Sequence, residues 1–378
     1  MGKFIYADNA ATTKLDSDAF NAMKPYFIDK YGNASSRYRF SKLSKKALKE
    51  ARDIIARCIN AKPNEIYFTS GGSESDNWAI KGVMLSDTNT DRNGFITSEI
   101  EHHAVLNSAK FISKIGYNVD LVKPDREGII CPAKLKNLVS GNTKLVSIML
   151  ANNEIGTIEP IKELAKVAHE KEALFHTDAV QAVGHIKIDV KDLDIDLLSA
   201  SAHKFNGPKG IGFLYIKENT EIAEYIHGGA QESGMRSGTE NIPAIVGMAC
   251  SLQKNCNSIE KNFAYVKGLE KSLLEKLACT QNIDYIKNGS ENTLPGNISL
   301  SFKNKSGEAI LHRLDLKNIC VSTSSACDSK NTKISHVLKS IGLPESYATG
   351  TIRISLSKYN TQEEVNSIVR EIINICKC

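Results

Sequence analysis

Lys204 stands at the end of a run of small side chains. Ile195, Leu197 and Leu198 form a short apolar stretch bounded by acids, and large side chains then stop at Ser199, Ala200, Ser201 and Ala202 before His203 and Lys204. The pattern reads as a buried strand that ends at the lysine. Residues 205–210 follow as a turn and 211–216 resume as a strand, which places Lys204 at the mouth of a hairpin. A lysine held partly out of water loses its preference for the ammonium form and becomes an amine nucleophile able to condense with a carbonyl. A lysine merely exposed beside a turn fits the same local pattern.

A second chemical element lies upstream. Residues 66–69 read as a strand, and Ser70-Gly71-Gly72-Ser73-Glu74-Ser75 then opens a helix carrying Asn77, Trp78, Ile80 and Val83. Strand, glycine pair and helix N-terminus form a candidate phosphate cradle, because free backbone N–H groups and the positive end of the helix dipole converge there. A plain tight turn is the alternative.

The elements that must position these groups alternate. Helices are expected over 17–26, 41–59, 105–114, 132–139 and 161–171, and strands over 94–97, 117–122, 145–150 and 173–176. Such alternation implies an α/β fold with a mostly parallel sheet covered on both faces, whose ligand sits beyond the strand C-termini. Gly72, Ser73, His102, Asn153, Asp178, Gln181, Ser201, His203 and Lys204 all fall at or just past a strand end. Each has a structural alternative: Asp178 as a helix cap, Asn153 as a turn residue, His102 as a satisfied core histidine. Together they describe a pocket with a phosphate cradle, a carboxylate, hydrogen-bonding groups and an amine. His102 and His103 with Glu99 and Glu101 raise the thought of a metal, but neighbouring positions on a strand face opposite ways, and no metal is expected.

Pyridoxal 5′-phosphate (PLP) matches this set, since its phosphate suits a helix N-terminus, its ring nitrogen a carboxylate and its aldehyde a lysine. Composition agrees with a soluble globular protein. Hydrophobic residues make up 41% and charged residues 24% of 378, and the net charge of +5 comes from 48 basic and 43 acidic residues scattered without a basic stripe. Nucleic acid is therefore not expected as the main partner. No apolar run approaches the roughly 20 residues needed to cross a bilayer, and the N-terminus does not read as a signal peptide. The nine cysteines form no paired framework, so a reducing, cytoplasmic setting is expected. The Cys376-x-Cys378 end reads as a frayed helix terminus rather than a metal or sulfur site.

Over nearly its whole length the chain resembles the fold-type I PLP enzymes of the class V aminotransferase group, and within it the cysteine desulfurases. The resemblance rests on Asp8-Asn9-Ala10-Ala11-Thr12-Thr13, residues 69–77, Glu101-His102, Asn152-Asn153-Glu154-Ile155-Gly156, His203-Lys204 with Gly207-Pro208-Lys209-Gly210, and residues 234–239. It implies that His102 stacks on the pyridine ring, Asn153 and Gln181 contact its phenolic oxygen, and Asp178 pairs with its nitrogen. Gly72, Ser73, Ser201 and His203 would hold the phosphate, and Thr239 would reach the phosphate of the other subunit in a homodimer. Asn33 and Arg353 would meet the substrate carboxylate.

After Asn241 the alternation ends. Residues 242–277 read as largely helical, and strands at 298–302, 320–322 and 351–356 surround two helices before a last helix over 361–375. A large cofactor-binding domain over 14–250 and a smaller α+β domain formed by 1–13 and 251–378 are expected. The second carries Cys327, the one cysteine in a long run of small polar residues, as suits a nucleophile that collects sulfur at one place and presents it at another. In the resemblance this loop belongs to nitrogen-fixation and housekeeping desulfurases, from which the chain departs by Asp328 in place of threonine and Ala34 in place of proline, and by lacking the C-terminal extension that docks a scaffold protein. Lys330 and Lys333 can offset the Asp328 charge.

The resemblance implies a desulfurase in which Lys204 moves a proton from the Cα of L-cysteine, Cys327 takes the sulfur as a persulfide and L-alanine leaves. A sulfur-acceptor protein of iron–sulfur assembly or thiolation would be the partner. Selenocysteine lyase, or a low-turnover sulfur-relay or scaffold protein, is the alternative.

Overall fold

The computed structural model describes residues 4–86, 92–323 and 334–377. Cys327, Asp328, Lys330, Lys333 and Cys378 lie outside the described residues. The N-terminal part runs β1 (Ile5–Tyr6), α1 (Ser17–Met23), α2 (Pro25–Ile28), α3 (Ser41–Cys58), β2 (Ile66–Thr69), α4 (Gly72–Met84), β3 (Gly94–Ser98), α5 (His103–Lys114) and β4 (Asn118–Val122). Next come α6 (Pro132–Leu138), β5 (Thr143–Ser147), α7 (Ile161–His169), β6 (Leu174–Asp178), β7 (Leu197–Ser201) and β8 (Gly212–Ile216). The C-terminal part has α8 (Ile242–Cys256), α9 (Ile259–Ala278), β9 (Tyr285–Asn288), β10 (Asn297–Phe302), α10 (Gly307–Asp315), β11 (Ile319–Cys320), β12 (Ser322–Thr323), α11 (His336–Ser340), α12 (Glu345–Ala348), β13 (Thr351–Ser355) and α13 (Gln362–Cys376).

Seven strands form one sheet in the order β2-β8-β7-β6-β5-β3-β4, with β8 antiparallel to both its neighbours and the remaining pairs parallel. The mostly parallel sheet expected from the alternation is therefore present, and β7–β8 is the expected hairpin. Alternation along each strand sends side chains to two apolar layers. Leu197, Leu214, Leu145 and Phe95 pack with Trp78 and Val83 of α4 and Val105 and Ile112 of α5. Leu198, Phe213, Val146 and Ile96 pack with Ile55 of α3, Leu164 of α7 and Ile245 and Met248 of α8. Burying each such Leu, Ile or Phe contributes about 1.5–3 kcal/mol.

Four strands, in the order β12-β13-β10-β9, form an antiparallel sheet. Ile298, Leu300, Ile352 and Ile354 of its centre pack against Leu269 and Leu273 of α9 and Ile368 and Ile372 of α13. β1 pairs with β11 apart from both sheets. No helix among the described residues is long and apolar enough to cross a membrane.

Several boundaries differ from expectation. The helix expected over 17–26 is two, because Pro25 has no N–H to continue α1 and instead starts α2. The long helical stretch after Asn241 breaks between Cys256 and Ile259, since α8 packs on α3 and α1 whereas α9 packs on α13. β9 was not expected; among the described residues it pairs only with β10, and its residues are mostly half-buried, so it has no long apolar run to mark it. The terminal helix is not frayed at Cys376, which is buried among Val369 and Ile372, and burial pushes its thiol up to about 11.

Candidate active site

A cavity of about 540 Å³ opens at the C-terminal ends of β6 and β7, and Lys204 stands in its wall. The chain leaves β7 in extended form at Ser201 and turns at once through residues 202–204. The backbone of this turn is tied from both sides, by His185 Nε2 to the Lys204 carbonyl at 2.8 Å and by Thr13 Oγ1, which donates to the His203 carbonyl at 2.7 Å. Lys204 Nζ donates to the carbonyls of Ala10 and Ala11, at 2.6 and 2.9 Å. Gln181 Nε2 donates to the same Ala10 carbonyl at 3.0 Å, and His203 Nδ1 lies 3.1 Å from Thr12 Oγ1. Residues 8–13, which alone read only as a turn, therefore line the lysine with oxygens. Burial, then Lys204 and Lys209, hold the His203 imidazole down at about 4, so it is neutral at physiological pH.

The cradle sits opposite. Gly71 precedes α4 at φ 152°, outside the range that side-chain-bearing residues adopt readily, and a Cβ on Gly72 would lie 2.5 Å from Val180 Cγ2. Only glycine lets the helix end come this close to the loop after β6. The first N–H groups of α4 have no partner within the helix, and Gly72 and Ser73 line the cavity. Such a helix start is an anion site in form.

Asp178 ends β6 and is buried, its Oδ1 accepting the Val180 N–H at 2.9 Å. Burial pushes its carboxyl up, while His102 and Lys204 pull it back toward the anion. Behind it lies Asp76 of α4, 1% exposed, whose Oδ1 has no hydrogen-bond partner. Burial, and then the Asp178 charge, push Asp76 well above the carboxylate range. His102 precedes α5 and its Nδ1 accepts the Ala104 N–H at 3.1 Å; burial lowers its pKa. One ligand-type atom from each of Asp76, His102 and Asp178 lies within 4.8 Å of the others. A neutral His102 that accepts at Nδ1 carries its proton on Nε2, so it has no lone pair left for a cation.

Arg353 of β13 closes the cavity from the antiparallel sheet. Its Nη1 donates to the Asn153 carbonyl at 3.0 Å, its Nη2 to Asp8 Oδ1 at 2.8 Å, and its buried Nε has no partner. Glu154 beside it is buried and accepts from Ser335 Oγ at 2.6 Å; burial lifts it to about 7.

Of the residues expected at the site, Gly72, Ser73, His102, Asn153, Asp178, Gln181, Ser201, His203, Lys204 and Arg353 line this one cavity. Asn33 and Thr239 do not. Both are exposed, and Asn33 Oδ1 accepts the N–H of Ser35 within its own turn. Reasoning from sequence missed Asp76, though its spacing was readable. It falls four residues after Gly72, among the buried Ser75, Ala79 and Ile80, where an acid is costly unless used.

A mostly parallel sheet with a lysine, an acid and a helix-end anion site at its strand ends belongs to a known class. The aminotransferase class-V family model matches residues 5–368, and the chain belongs to that family. Among its relatives, a protein of Dictyoglomus turgidum named cysteine desulfurase IscS is 46% identical, spanning 97% of this chain and 93% of its own. One of the same name from Methanosarcina thermophila is 43% identical over 99% and 92%. A solved structure named NifS-like protein superposes with a TM-score of 0.93 at 37% identity, covering 99% of both chains. The structure of SspA in complex with cysteine superposes at 0.83 with 36% identity, covering 94% of this chain and all of that one.

Proposed function

We propose that the protein is a PLP-dependent cysteine desulfurase, which converts L-cysteine to L-alanine and takes the sulfur onto Cys327 as a persulfide for an acceptor protein. The observation that carries this reading is the meeting of Lys204, Asp178 and the start of α4 in one cavity. The residues fit the cofactor: Gly72 leaves no room for a side chain at the anion site, and Asp178 is a carboxyl that burial pushes up while His102, the Val180 N–H and Lys204 favour its charged form. When bound, PLP supplies an electron sink for the substrate carbon.

Each residue then has a task of its own. Gly72, Ser73, Ser201 and His203 hold the phosphate, and His203 does so as a neutral donor. Asp178 would hold the ring nitrogen, His102 would cover the ring, and Asn153 and Gln181 would hold its phenolic oxygen. Lys204 would hold the aldehyde, and its amine would move a proton at the substrate Cα. Releasing Lys204 Nζ from the Ala10 and Ala11 carbonyls is part of that change. Arg353, fixed in orientation by Asp8, meets the substrate carboxylate. Thr239 serves the phosphate of a second subunit in a homodimer. The overall exchange balances as cysteine plus a Cys327 thiol giving alanine plus a Cys327 persulfide.

Alanine release from L-cysteine tests the reading. The wild type releases alanine and forms a persulfide, whereas Cys327→Ser binds PLP and does neither, because a hydroxyl is far too weak an acid to replace a thiolate near pH 7. Alanine release by Cys327→Ser at the wild-type rate contradicts the sulfur-transfer mechanism.

A further inference from the structure

Two carboxyls share the floor of the cavity, and their surroundings differ. Asp178 receives an N–H from Val180 and is drawn toward the anion by His102 and Lys204. Asp76 has neither an N–H nor a cation; the Ser199 hydroxyl is its one hydrogen-bond donor among the described residues. Its Oδ1 is buried without a partner, and its nearest basic group, His176 Nε2 of β6, is 3.8 Å away. That imidazole is already engaged, with Ser147 Oγ 2.8 Å from Nδ1 and Ser199 Oγ 2.9 Å from Nε2, and burial holds it neutral at about 3. Glu101, from the turn before α5, adds only another acid to this side.

We propose that Asp76 is a positioning residue that carries the one proton of the Asp76–Asp178 pair, leaving Asp178 as the pair's single carboxylate at the cavity surface. Two buried anions within 4.8 Å repel strongly, and the pair titrates as a unit. The proton goes to the member without cationic or N–H support. The consequence is a fixed division of labour: one negative charge, held on the residue that faces the ring nitrogen, with its neighbour neutral and unable to compete for that proton. The consequence for the ring rests on the PLP reading, while the placement of the proton is a property of the cofactor-free chain.

Infrared spectroscopy of the PLP-free protein near pH 7 tests it, with aspartate carboxyls labelled by ¹³C so that Glu101, Glu154 and Glu159 do not contribute. The wild type shows the C=O stretch of a protonated aspartic acid, shifted by the label. Asp76→Asn loses that band. A structural Asp76 that is ionised gives no band. Absence of the band from the wild type overturns the proposal even if the variant does not fold, and so does a band that survives Asp76→Asn. Failure of PLP to bind overturns the functional reading and leaves this result unaffected.

Discussion

At the scale of single residues, the site is a set of buried charges arranged about one carboxylate. Asp178→Asn keeps the shape of the side chain and removes the charge that holds a pyridinium proton. Turnover of the PLP-loaded variant falls by about 100-fold or more, with melting temperature kept, in a steady-state assay of alanine release. Another acid tests the electrostatics away from the chemistry. Glu159 accepts the Ile130 N–H at 2.8 Å, its Oε1 is buried without a partner, and burial lifts its carboxyl to about 8. The folded chain therefore binds a proton that the unfolded chain has released above the ordinary glutamate range. Stability from this group is present at low pH and is lost as pH rises from about 4.5 toward about 8. Glu159→Gln has no proton to lose, so its melting temperature relative to the wild type rises between pH 5 and 8; a constant difference contradicts the assignment. Lys204, Asp178 and His203 were legible in the sequence because strand ends are where such sheets put their ligands. The oxygens that receive Lys204 were not, since they are main-chain carbonyls of Ala10 and Ala11 and bear no residue signature.

At the scale of elements, helix starts and loops are held in place by a few close contacts. Gly72→Ala puts a methyl 2.5 Å from Val180 Cγ2, so α4 must withdraw from the loop after β6. PLP affinity drops at least about tenfold by fluorescence titration, while far-UV circular dichroism is unchanged; wild-type affinity contradicts the cradle. A second contact ties the loop before Thr239 to the start of the sheet. Glu232, at φ 46°, accepts from both Arg52 of α3, Nη2 at 2.6 Å, and the Phe68 N–H of β2 at 2.9 Å. Breaking a largely buried pair leaves a charge unmatched, so Glu232→Ala costs about 3 kcal/mol in urea unfolding. A loss below about 0.5 kcal/mol contradicts that role. The apolar periods of α3 and α5 and the central strands carried these elements plainly. The break between α8 and α9 did not show, because the sequence stays helical in composition and only the existence of two separate cores decides where the chain turns.

At the scale of the molecule, the cavity takes its walls from both sheets: Lys204 and Asp178 from the seven-stranded one, Arg353 from the antiparallel one. The Asp8–Arg353 ion pair, 2.8 Å and mostly buried, fixes Arg353 on its own side, and Arg353 Nη1 reaches across the boundary to the Asn153 carbonyl at 3.0 Å. We infer that the active form is a homodimer, because Thr239 stands exposed on its loop and away from the cavity of its own chain. Sedimentation velocity of the PLP-loaded protein gives a dimer at assay concentration, and a fully active monomer contradicts the inference.

The most direct test of the account is where PLP becomes attached. The loaded protein is reduced with borohydride, digested and mapped by mass spectrometry. The account predicts the cofactor's mass on the peptide containing Lys204 and nowhere else, and its loss from Lys204→Ala. Attachment at another lysine, or a Lys204→Ala protein that still traps PLP covalently, would contradict it.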